Sequence, residues 1–144
     1  MSPPPYLDTS AFAKWYLNEP GSDRFEAYAR AQDGALVARL GALEFRCLLA
    51  RRRRSGALTA ALEAEAFQVF QADVASGFLT LLTLRDEHAE AARRLIDRLS
   101  GHALRTLDAL HLAIALDAAA ETLATADAVM AQAAVDLGLR VERF

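Results

Sequence analysis

At 144 residues, 53% of them hydrophobic, the chain has the length of one domain and enough apolar side chains to bury a core, which excludes a disordered segment. Its formal charge of −3 excludes a globally basic nucleic-acid binder, so nucleic acid must be met by a local patch or through bound metal. The single cysteine, Cys47, excludes an internal disulfide and a thiolate zinc site, and it suits a reducing cytoplasm. No basic segment followed by an apolar run opens the chain. The apolar stretch Ala109–Ala120 is too short for a bilayer and is interrupted by His111 and Asp117, so a soluble protein is expected.

Pro3–Pro5 hold the start extended, and Tyr6-Leu7 reads as a very short buried strand that stops at Asp8. Asp8, Thr9 and Ser10 are all N-cap types ahead of a helix over Ala11–Leu17. Asn18-Glu19-Pro20-Gly21 is a break, after which Ser22 or Asp23 caps a second helix running to about Gln32. Beyond the turn at Asp33-Gly34, Ala35–Val37 forms a second short strand. A long helix from about Leu40 to Arg54 stops at Ser55-Gly56. Thr59 caps the next helix, which turns Leu62, Ala66, Phe67, Val69 and Phe70 toward the core and ends at Gly77. Phe78–Leu84 is the clearest strand, followed by helices over Asp86–Leu99 and about Thr106–Ala120. A strand at Thr122–Ala124, a helix at Asp127–Leu137 closed by Gly138, and a strand at Leu139–Val141 complete the chain. Short apolar strands alternating with helices predict an α/β fold, a parallel sheet covered on both faces, as one domain over residues 1–144.

In such a sheet, ligands gather outside the carboxyl ends of the strands. Asp8 follows the first strand, Asp127 follows Thr122–Ala124, and Glu44 and Asp108 stand in the opening turns of two helices, so four distant carboxylates can meet at one edge. Capping alone would explain Asp8 or Asp127. Glu44 sits in a stretch apolar nearly all round, with Leu43, Phe45, Leu48 and Leu49. Asp108 is hardest to explain structurally, because its helix should be largely buried and an unpaired buried charge costs roughly several kcal/mol. Arg105, one turn earlier, would contribute only about 0.2–0.5 kcal/mol as a surface pair, so a cation explains Asp108 better.

Clustered carboxylates repel one another until a divalent cation joins them, and an all-oxygen donor set selects Mg²⁺ or Mn²⁺ over zinc. Such a site predicts chemistry at phosphorus. His111, one turn after Asp108, reads as a structural histidine, and His88 and His102 as helix-surface residues. Thr9 and Ser10 are placed to support the carboxylates, although capping explains them too. Of the run Arg51–Arg54, Arg51 shares a stripe with Glu44 and Leu48 and is the candidate to meet an RNA phosphate. Neither glycine-rich phosphate loop occurs, and no G-x-S-x-G nucleophile elbow.

Tyr6-Leu7-Asp8-Thr9-Ser10-Ala11, followed by Lys14, Tyr16 and Glu19-Pro20-Gly21-Ser22, closely resembles the opening of PIN-domain proteins of the VapC toxin group. Leu43-Glu44-Phe45 with the Arg51–Arg54 tract and Gly56 is similar to that family's second acidic element. Leu107-Asp108-Ala109-Leu110-His111-Leu112-Ala113 resembles its most distinctive motif, Ala124-Thr125-Ala126-Asp127 its last acidic element, and Gly138–Glu142 its usual ending. Gly41-Ala42 depart from the pattern, standing where relatives often carry a polar or β-branched residue.

The resemblance implies a three-layer α/β/α sandwich and a Mg²⁺- or Mn²⁺-dependent endoribonuclease hydrolysing RNA phosphodiester bonds. It also implies homodimers that assemble with an inhibiting VapB-type antitoxin. Asp8, Glu44, Asp108 and Asp127 carry over as the acidic residues around the metal, and Thr9 or Ser10 as a supporting polar group. The alternative is a PIN-like module that binds RNA or protein without cutting. A receiver domain fits poorly, since Lys14 is the only lysine and the early acids are unpaired.

Overall fold

Strands and helices alternate in a computed structural model that describes residues 2–144; Met1, the first residue of the expected domain, lies outside them. In chain order the elements are β1 (Tyr6–Leu7), α1 (Thr9–Tyr16), α2 (Ser22–Arg30), β2 (Ala35–Ala38), α3 (Arg39–Arg54) and α4 (Ala60–Ala75). They continue with β3 (Leu79–Leu82), α5 (Asp86–Arg98), α6 (Thr106–Asp117), β4 (Thr122–Thr125), α7 (Ala128–Asp136) and β5 (Arg140–Arg143). The strands form one all-parallel sheet in the order β3-β2-β1-β4-β5.

The chain steps outward from β1 to β3, then crosses back to β4 beside β1 and moves outward again to β5. Right-handed crossovers that reverse direction must place their helices on opposite faces of the sheet. Alternating strand side chains serve the two faces accordingly. Leu7, Val37 and Ala124 pack with Phe12, Phe25, Phe45 and Phe70 of α1–α4. Tyr6, Ala38 and Leu123 pack with Leu95, Leu112 and Met130 of α5–α7. The result is the expected three-layer sandwich.

The differences from expectation are local. The third strand is trimmed to Leu79–Leu82, and α6 stops at Asp117 rather than Ala120, with Ala119 turning at a φ of 56°. Thr59 caps α4 as expected, its hydroxyl accepting the Leu62 N–H at 3.1 Å. Leu62 and Val69, however, do not face the core: they are 49% and 44% exposed. The narrow stripe Glu63, Ala66 and Phe70 is what α4 buries, leaving that flank outside beside Trp15 and Leu58. Glu63 is tolerated there because Arg46 and Arg53 reach it at 3.1 and 2.8 Å.

Two histidines also depart from the surface reading. His88 is buried at the start of α5; its Nδ1 accepts the Arg85 N–H at 3.0 Å and its Nε2 contacts Asp117 Oδ2 at 2.9 Å. His102 lies beyond α5, half-buried, 2.6 Å from Asp136.

The Phe12 ring is almost fully buried, with the Phe45 and Phe70 rings each 5.4 Å away, centroid to centroid. Phe12→Ala removes the ring that joins α1 to α3 and α4, and should cost about 3–5 kcal/mol in urea unfolding. Asp117 ties α6 to α5: the hydrogen bond with His88, and then that from Arg85, hold its carboxyl below the usual value of 3.8. A depressed folded value stabilises above the ordinary value and is lost as the pH falls through the folded one. Asp117→Asn should therefore flatten the acid limb of a plot of melting temperature against pH below about pH 4.

Candidate functional site

Where the chain reverses its course across the sheet, between the carboxyl ends of β1 and β4, a cleft of about 660 Å³ opens. Asp8, Glu44, Asp108 and Asp127 all line it, as do Thr9, Ser10 and Arg51. Each acid is held differently.

Asp8 follows β1 and caps α1. Its Oδ1 accepts from the Ala11 N–H at 3.0 Å and the Ser10 hydroxyl at 2.7 Å, and its Oδ2 from the Thr125 hydroxyl at 2.6 Å. The residue is 4% exposed. Burial pushes its carboxyl above the usual range, and the hydrogen bonds from Thr125 and Ser10 only partly counter this. Among the described residues no cation pairs with Asp8, so a buried carboxylate is stabilised by neutral donors alone.

The same hydroxyls bind the next loop. Thr125 Oγ1 accepts the Asp127 N–H at 3.0 Å, and Ser10 Oγ accepts the Ala126 N–H at 2.9 Å. Pairing of Leu7 with Ala124 brings Asp8 and Thr125 side by side. Asp127 caps α7, its Oδ1 accepting the Met130 N–H at 2.9 Å.

Glu44 stands one turn into α3, half-buried. Its Oε1 accepts the Thr9 hydroxyl at 2.9 Å and a very short hydrogen bond from His111 Nε2. Burial alone would raise its carboxyl, yet bonding to His111 and Thr9 outweighs that and holds it below the usual value. The Gly41-Ala42 departure has a steric cause. A Cβ at Gly41 would stand 3.2 Å from both the Thr9 hydroxyl and the Phe12 ring and 3.6 Å from the His111 ring. A side chain here would push its neighbours by a few tenths of an ångström, so glycine suits the close approach of α3 to α1, the approach in which Glu44 meets both partners.

Asp108 differs from its expectation. It is not an unexplained charge inside a buried helix: it occupies the first turn of α6, its side chain is 13% exposed, and its Oδ2 accepts the Arg105 N–H at 3.0 Å. The Arg105 guanidinium lies 3.7 Å away. A capping interaction thus accounts for Asp108, and Asp8 is instead the acid most removed from water.

All four carboxylates share the cleft, but among the described residues no three acid, histidine or cysteine side chains converge closely enough to grip one ion. Glu44 Oε2, Asp108 Oδ1 and Asp127 Oδ2 make no protein hydrogen bond there. An all-oxygen set with open coordination suits a hard cation that keeps part of its water shell. At the rim, Glu19 joins Lys14 at 3.3 Å and Arg52 at 2.9 Å, while Arg53 turns away to Glu63. Arg51 is exposed and forms no ion pair among the described residues.

Thr125 and the link from His111 to Glu44 are the features sequence reasoning missed. Thr125 stood in view two residues before Asp127, but its partner Asp8 is 117 positions away and only strand pairing joins them.

The family model for the PIN domain matches residues 6–136. The ribonuclease VapC45 of Mycobacterium tuberculosis is 37% identical over 112 residues, which is 77% of this chain and 74% of that protein. Among solved structures, Mycobacterium tuberculosis VapC20, a sarcin-ricin loop cleaving toxin, superposes with a TM-score of 0.70 at 16% identity, covering 89% of this chain and 93% of that one. A chain of VapBC2 from Rickettsia felis, solved bound to a DNA fragment from their promoter, gives 0.68 at 14% identity, covering 96% and 97%. The chain belongs to the PIN-domain family, among the VapC ribonucleases.

Proposed function

We propose that this protein is the toxin of a VapBC-type pair: an endoribonuclease, dependent on Mg²⁺ or Mn²⁺, that hydrolyses RNA phosphodiester bonds. It works as a homodimer and is restrained by a VapB-type antitoxin. One observation carries the catalytic part: four acids from separate stretches of chain line a single cleft at the reversal point of the sheet, and the most buried, Asp8, pairs with no protein cation among the described residues. The family supplies metal dependence in general, and the hard oxygen donors favour Mg²⁺ or Mn²⁺. Family membership and the likeness to a chain of the Rickettsia felis VapBC2 assembly support the partner.

Asp8 and Asp108 would hold the ion, directly or through water, with Glu44 and Asp127 completing or orienting its shell. A bound divalent ion supplies Lewis acidity at the phosphate and a water of lowered pKa. Thr9 steadies Glu44 from the α1 side, and Ser10 keeps Asp8 in place while bonding the loop after β4. Arg51, unpaired at the rim, meets a phosphate of the RNA away from the acids, so the strand enters along a path that begins with a cation and ends at the carboxylates.

Asp8→Asn or Asp108→Asn should lower RNA cleavage by more than about 100-fold, beyond what losing a supporting partner of a metal ligand causes, while the circular dichroism spectrum is kept. EDTA should abolish cleavage, and Mg²⁺ or Mn²⁺ restore it. Undiminished cleavage in either variant or in EDTA would sink the proposal. Arg51→Ala should weaken binding to all single-stranded RNA sequences alike and reduce the slope of log affinity against log salt by about 0.7. A base-specific loss measured by filter binding would contradict its role as a phosphate contact.

A further inference from the structure

His111 is 3% exposed and links three elements: it stands on α6, its Nδ1 lies 2.6 Å from the Tyr6 hydroxyl of β1, and its Nε2 bonds Glu44 of α3. Hydrogen-bond accounting fixes its tautomer. An ionised carboxylate only accepts, so Nε2 must carry the hydrogen that goes to Glu44. The Tyr6 hydroxyl has no other partner among the described residues. Were Nδ1 protonated as well, the phenolic hydrogen would be buried without an acceptor, which folded proteins avoid. Tyr6 therefore donates to Nδ1, and the Nε2 N–H is aimed at Glu44.

A histidine that served packing alone would have no need of an acid in the cleft. Here both ring nitrogens are used, and the second is given to Glu44 Oε1. Gly41 of α3 packs beside this pair, where a Cβ would stand in ordinary contact, 3.6 Å, with the His111 ring.

We propose that Tyr6 and His111 are a positioning pair for Glu44: His111 anchors Oε1, Tyr6 locks the tautomer that does so, and Oε2 is thereby left for the divalent ion. This rests on the metal-dependent nuclease reading. Neither residue touches substrate. Their effect passes through the carboxylate, as with other partners that orient a metal ligand.

The test titrates Mn²⁺ into metal-free protein by calorimetry, alongside thermal melts, for the wild type, His111→Met, His111→Gln, Tyr6→Phe and Asp8→Asn. His111→Met fills the space without a donor and should weaken Mn²⁺ binding about 10–100-fold. His111→Gln, whose amide N–H reaches toward the same carboxylate, should recover most of it, and Tyr6→Phe should fall between. A folded His111→Met that binds Mn²⁺ as the wild type does, or a folded His111→Gln no better than His111→Met, overturns the inference. If His111→Met fails to fold, Tyr6→Phe decides: weakened binding supports the pair and unchanged binding overturns it. Wild-type protein that takes up no Mn²⁺ overturns the nuclease reading and this inference together. Uptake lost in Asp8→Asn yet intact in His111→Met overturns this inference alone.

Discussion

The Asp8 carboxylate lies at the junction of β1 and β4, held by three protein donors and in no ion pair among the described residues. A carboxylate removed from water costs several kcal/mol even after relaxation, roughly speaking, and neutral hydrogen bonds return only part of that. The low dielectric that makes the group costly also makes it a strong attractor for a cation in the adjoining cleft. Much of the surrounding geometry serves this one group. Ser10 and Thr125 each donate to it and accept a backbone N–H from the loop after β4. The two strand ends are thus coupled through the acid that both of them enclose.

The cleft carries charge of both signs. Lys14, Arg51, Arg52 and Arg105 line it together with the acids. Glu19 engages two of these cations, Lys14 and Arg52, so the rim is less basic than the sequence tract suggests. This reconciles a chain of net charge −3 with a polyanionic substrate. Attraction is local, supplied by Arg51, which forms no ion pair among the described residues, and by whatever cation the acids hold, and not by the field of the whole molecule.

Glu44 shows how far a site depends on close packing. It belongs to a helix that lies close to α1 at Gly41, and from there its carboxylate reaches both Thr9 and His111. The glycine stands in the first turn of a helix, where it costs roughly 1 kcal/mol relative to alanine. That cost is accepted in return for proximity.

The sequence by itself determined the layered α/β architecture and placed each element to within about three residues, because strand and helix periodicity, N-cap residues and stop glycines are local signals. It also pointed to the four acids, each of which follows a strand or opens a helix, and to Arg51, which shares a helix stripe with Glu44; all five line the cleft. Their ranking was decided only by tertiary structure. Asp108 looked anomalous in an apolar helix, yet it caps that helix through the Arg105 N–H. Asp8 looked like an ordinary cap, yet the pairing of β1 with β4 seals it from water. His88 was misjudged, and the link from His111 to Glu44 missed, for the same reason: their partners lie tens of residues away, and burial and hydrogen bonding across such distances are properties of strand register and helix packing, which no local pattern encodes.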